Sequence, residues 1–127
     1  MRLRVLAPLA LLLTACGAPT AQPPAAACQS PAEAVLPHTA GTLAETDSGS
    51  FCLAPGQQLS VFLTATGSAH WSAVSSSDPQ VLAPAKAPLT APIGVTPALF
   101  GATAAGTARL TSQDGTGHDW AVTVVVR

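Results

Sequence analysis

From Ser50 to Val126 the chain runs in short apolar–polar alternations broken by turn residues. Leu59, Val61 and Leu63 fall on one side of the run Leu59-Ser60-Val61-Phe62-Leu63-Thr64, the period of a half-buried strand. Trp120, Val122, Val124 and Val126 repeat the pattern at the end of the chain, with Ala121, Thr123 and Val125 on the other face. In Thr107 to Ser112, Ala108 and Leu110 point inward while Thr107, Arg109 and Thr111 point outward. Phe51 to Leu53, Trp71 to Val74, Val81-Leu82 and Leu99 to Thr103 read as shorter strands, the last paired with Thr107 to Ser112 around Ala105-Gly106. Pro55-Gly56, Ser75 to Pro79 and Gln113 to Gly117 carry turn chemistry. Residues 83–97 hold four prolines without a period and read as a long loop. Residues 28–49 admit one short edge strand from Val35, Leu36 and Leu43. No stretch combines a helical period with caps. These elements predict an all-β, antiparallel β-sandwich of about seven strands.

Composition narrows the function classes. The chain has 127 residues and a formal net charge of −1, enough for one domain. Its hydrophobic fraction of 48% includes 26 alanines, so the core is thinner than that figure suggests. Of the 5 basic residues, Arg2 and Arg4 sit at the extreme N-terminus, which leaves no patch to neutralise nucleic-acid phosphates. There is no G-x-S-x-G elbow or other activated-nucleophile context, so the reading is non-catalytic, with no cofactor. His38, His70 and His118-Asp119 lie in separate segments and do not read as a metal site. An aromatic content of 4% leaves little for an exposed sugar-binding face, and Trp120 in phase with three valines reads as core. The Gly67-Ser68 loop, Ser75, Ser76 and Ser77, and His118 remain as candidate contact positions.

The N-terminus carries an address. Arg2 and Arg4 precede a nine-residue apolar run, Val5 to Leu13, far short of the ~20 residues that a membrane-spanning helix needs. Leu13-Thr14-Ala15-Cys16 follows, and the whole resembles a bacterial lipoprotein signal with its lipobox. That resemblance implies cleavage after Ala15, acylation of Cys16, and membrane attachment through two or three acyl chains. Residues 1–15 are then a signal peptide and 16–34 a lipid-anchored, Pro/Ala-rich tether, with the sandwich over 35–127. In polyproline II the eleven residues 17–27 reach about 34 Å. The implied location is extracytoplasmic, on the outer face of the cell membrane or in an outer membrane. With Cys16 lipidated, Cys28 and Cys52 remain as a pair that an oxidising compartment would bridge, free thiols being the alternative. A bridge closing that loop contributes roughly 3.5 kcal/mol in the chain-entropy picture.

Two further resemblances bear on fold and function. Trp71-Ser72 with Ser75-Ser76-Ser77-Asp78-Pro79-Gln80-Val81-Leu82 resembles the W-S-S-S-[ND]-P-x-V signature of bacterial immunoglobulin-like domains of the BIG2 type. Phe100 to Thr111 resembles their V-x-A-x-x-x-G-T-A-x-[IL]-T stretch, and Ala121 to Val124 their closing strand. This implies an immunoglobulin-like sandwich of a cell-surface module. Gly56-Gln57-Gln58-Leu59-Ser60-Val61-Phe62-Leu63 also resembles the G-x-x-L-x-[IV]-x-L opening of chagasin-type cysteine-protease inhibitors. Thr64 to Trp71 keeps Thr66-Gly67 of their following loop without its aromatic, and Gln113 to Asp119 has no Arg-Pro-Trp. The expectation is a lipid-anchored, non-catalytic binding or structural module of the cell envelope. A chagasin-like inhibitor is the alternative, and an accessory subunit with a protein partner at the cell surface the second.

Overall fold

The clear alternating runs, over 59–64, 107–112 and 120–126, become strands whose apolar faces meet a single core. The computed structural model describes residues 27–86 and 89–127, so residues 1–15, Cys16 and most of the tether lie outside it. Eight strands form: β1 (Gly41–Ala44), β2 (Ser50–Leu53), β3 (Gln58–Thr64), β4 (Ser75–Ser76), β5 (Leu82–Pro84), β6 (Val95–Ala102), β7 (Gly106–Gln113) and β8 (Asp119–Val126). They make two sheets in the orders β1-β3-β6-β5 and β2-β8-β7-β4, an immunoglobulin-like sandwich without a helix among the described residues. Every strand except β4 supplies the core, which includes Leu59, Val61, Phe100, Leu110, Trp120 and Val124. Burying such faces is the main favourable term in folding.

The sheets are mixed rather than antiparallel throughout. β1 runs parallel to β3 and β2 parallel to β8. The chain ascends in β1 at the edge of one sheet, crosses over and descends in β2 at the edge of the other. Alternation fixes which face a strand buries and says nothing about the direction of its neighbour.

The expected hairpin of Leu99–Thr103 with Thr107–Ser112 does not form. β6 belongs to one sheet and β7 to the other, so Phe100 and Ala102 reach the common core from one layer and Ala108 and Leu110 from the other. Residues 103–105 carry the chain between the layers. Thr103 donates its N–H to the Val81 carbonyl at 2.9 Å and its hydroxyl to the Gln80 carbonyl at 2.6 Å. Gly106 then passes so close to Val81 that a Cβ would lie 2.8 Å from Val81 Cγ2.

Trp71 to Val74 is not a strand either. Sheet pairing begins at Ser75 and Ser76, opposite Thr111 and Leu110. Trp71 and Val74 pack half-buried against the core. The backbone of Trp71 is instead taken up by a side chain, as the Thr96 hydroxyl donates to the Trp71 carbonyl at 2.8 Å.

Residues 28–34, read from sequence as tether, lie against the sandwich. Gln29 bridges to Phe51 in parallel and Ala32 to Thr42 antiparallel, and a disulfide joins Cys28 to Cys52 with a Cα–Cα distance of 5.2 Å. This strap covers the open edges of β2 and β1. It fits over Gly41, where a Cβ would overlap Pro31 and approach the Ala32 carbonyl to 2.6 Å. No alternating pattern announced it, because its pairing with the strands is made by backbone groups.

Candidate functional site

Four connections emerge at one end of the sandwich: 45–49, 65–74, 85–94 and 114–118. Register places them there, since β3 ends where β6 begins (Thr64 opposite Val95) and β7 ends where β8 begins (Gln113 opposite Asp119). Backbone bonds tie them together. Ala65 donates to the Gly94 carbonyl at 2.9 Å, and Ser72 donates to the Gln113 carbonyl at 2.7 Å. Trp71 Nε1 donates to the Thr64 carbonyl at 3.0 Å, closing the 65–74 loop on its own stem. The Thr64 N–H donates to Glu45 Oε2 at 3.0 Å, which joins the first connection to the second.

The tips differ in chemistry. Thr66, Gly67 and Ser68 are exposed, and Gly67 has φ +65 with nothing within 4 Å of a Cβ. On the 85–94 connection Ile93 is fully exposed beside Gly94 at φ +88, in a turn closed by Val95 N–H to the Pro92 carbonyl at 3.1 Å. Loop 114–118 is built around Asp114. Its Oδ1 accepts the Thr116 N–H at 2.8 Å, the Thr116 hydroxyl at 2.8 Å and the His118 N–H at 3.2 Å. Its Oδ2 lies 3.1 Å from His118 Nδ1. Led by the Thr116 N–H, these donors hold the Asp114 carboxyl down from 3.8 to about 2. The His118 ring is 77% exposed at the tip.

Gly67, Ser68 and His118 therefore share this end. Ser75, Ser76 and Ser77 do not. Ser75 and Ser76 form β4 on a sheet edge, and Ser77 is consumed by β7, its N–H donating to the Arg109 carbonyl at 2.9 Å and its Oγ accepting the Arg109 N–H at 2.8 Å. Ile93 and Asp114 belong to the site and were not singled out from sequence. Pro92-Ile93-Gly94 carries a turn signal, but the run of prolines around it hid the tip. Among the described residues, no three His, Cys, Asp or Glu side chains are grouped to hold a metal.

Two grooves flank the loops. One of about 480 Å³ lies beside β7 and β8 with Arg109, Thr111, Gln113 and Asp119 along it. The other, about 430 Å³, is more apolar and is lined by Val35, Leu36, Phe62, Pro92 and Val95. Among the described residues every buried side-chain nitrogen and oxygen has a hydrogen-bond partner. What this arrangement can do is present a row of exposed tips, tied at their bases by hydrogen bonds, to a binding partner.

No family model matches the chain, and no curated protein matches it. Solved structures do. The crystal structure of the cysteine protease inhibitor EhICP2 from Entamoeba histolytica is similar at a TM-score of 0.53 and 11% identity, over 68% of this chain and 93% of that one. The solution structure of amebosin is similar at a TM-score of 0.45 and 14% identity, over 72% and 99%. The likeness to EhICP2 is one of fold.

Proposed function

We propose that this protein is a non-catalytic binding protein of the cysteine-protease-inhibitor kind, which seats its loop end in the cleft of a papain-like protease. One observation carries the reading. The segment Gly56 to Leu63, which resembles the chagasin opening, leads through β3 into the exposed Thr66-Gly67 tip, beside 85–94 and 114–118. The similarity of the fold to that of a cysteine protease inhibitor supports the same reading. The loops are already tied to one another at their bases, so less conformational freedom is lost there on docking.

The lipobox resemblance adds an address to this reading. Acylated at Cys16, the protein would stand on the outer side of a membrane and meet proteases at the cell surface. The tether, shortened by the strap, would run from Gly17 to Ala27.

A specific observation favours a second reading. Loop 114–118 holds no Arg-Pro-Trp; its Asp114 and Thr116 side chains are spent within the clip. An immunoglobulin-like envelope module, or an accessory subunit that binds a different protein through the same end, fits that loop. Inhibition of papain by the full chain carrying Cys16→Ser separates the two. Competitive inhibition in the nanomolar range, weakened by Gly67→Val, supports the inhibitor. Inertness toward papain and its relatives overturns it in favour of the second.

A further inference from the structure

The Cys28–Cys52 bridge joins two unequal parts. Cys52 is in β2, flanked by the core residues Phe51 and Leu53. Cys28 opens the strap, in which no side chain from Ala27 to Ala40 is fully buried. The strap is held mainly by backbone bonds. Gln29 donates to the Ser50 carbonyl at 2.8 Å and accepts from the Cys52 N–H at 2.9 Å, Ala32 accepts from Thr42 at 3.0 Å, and Ala40 donates to Gln58 at 2.7 Å. Both cysteines are only partly buried. The two sulfurs also differ electrostatically. Arg127, whose backbone N–H donates to the Leu53 carbonyl at 3.0 Å, has Nη2 at 3.9 Å from Cys52 Sγ.

We propose that this bridge is a reductive release site for the strap, with Cys28 as the sulfur that a dithiol attacks. A thiolate of the dithiol forms a bond to Cys28 Sγ. The Cys28–Cys52 bond breaks, and its electron pair leaves on Cys52, where the guanidinium stabilises the thiolate. A lower leaving-group pKa speeds this step, and that choice of leaving group fixes Cys28 as the site of the mixed disulfide. The second thiol of the reductant then loses its proton and attacks the reductant's own sulfur in that mixed disulfide, expelling Cys28 as thiolate. The dithiol ends as a cyclic disulfide. Two electrons pass to the protein, and the two protons lost by the dithiol are taken up by the two cysteines. With the bridge gone, the strap detaches while the sandwich stays folded, because only the half-buried Ala40 at its end packs against the core and no fully buried side chain leaves with it. The edges of β2 and β1 are then uncovered, and the tether lengthens from Ala27 to Ala40. This inference is independent of what the loop end binds.

Glutathione serves as a monothiol probe on the full chain carrying Cys16→Ser. After acid quench, peptide mass spectrometry should find the adduct on Cys28 about threefold or more in excess over Cys52, and Arg127→Gln should abolish the preference. Equal adducts, an excess on Cys52, or a preference untouched by Arg127→Gln overturns the assignment of the attacked sulfur. Hydrogen exchange after full reduction by dithiothreitol tests release. The amides of Gln29, Thr42 and Cys52 should lose protection while β3, β6, β7 and β8 keep theirs. Unchanged protection at these three amides, or its loss across both sheets, overturns the release.

Discussion

Trp120 Nε1 donates to the carbonyl of Ala44 at 3.1 Å, joining β8 in one sheet to β1 in the other. The same carbonyl accepts the Asp47 N–H at 3.0 Å, so one acceptor anchors both the core indole and the 45–49 connection. Trp120→Phe removes the donor and part of the buried ring. The expected loss is about 1–3 kcal/mol, read as a lower urea midpoint at unchanged m-value. A midpoint equal to that of the parent would show that the inter-sheet bond adds nothing.

Gly106 has φ +148, and its missing Cβ is the space that Val81 Cγ2 occupies. Gly106→Ala should cost about 1–3 kcal/mol through backbone strain and the clash together. Val81→Ala in the same chain removes the clash and leaves the strain. The double variant should therefore be more stable than the sum of the two single losses by at least about 0.5 kcal/mol in a thermal or urea cycle. Strict additivity would place the whole cost in the backbone.

The Asp114 clip makes loop 114–118 sensitive to acid. Its carboxyl is lowered from 3.8 to about 2 in the folded chain, chiefly by the Thr116 N–H. A depressed carboxyl stabilises the fold fully above the unfolded value, and that contribution fades as pH falls through the folded one. Amide protection at Thr116 and His118 should thus hold at pH 5 and disappear between about pH 4 and 2. Asp114→Asn should leave both amides weakly protected with no change across that window, as followed by NMR.

Replacing Cys16 with Ser tests the proposed anchor. The expected outcome is transfer of the protein from the membrane pellet to the soluble fraction, since the acyl chains are its only proposed hold. Full retention in the pellet would require another attachment.

Sequence by itself determined which side of β3, β7 and β8 is apolar. Leu59, Val61 and Leu63, or Trp120 with Val122, Val124 and Val126, are buried where their period of two puts them. It also left Cys28 and Cys52 as candidate partners once Cys16 is given to the lipid, and put Gly67 and His118 in loops. Direction and layer were decided only in three dimensions. Leu99–Thr103 and Thr107–Ser112 look like a hairpin along the chain, yet they enter different sheets and both give their apolar faces to the common core. The strap and the gathering of Gly67, Ile93 and His118 at one end depend on backbone hydrogen bonds between distant segments. Every residue but proline carries the same donor and acceptor, so those bonds leave no mark in the order of side chains.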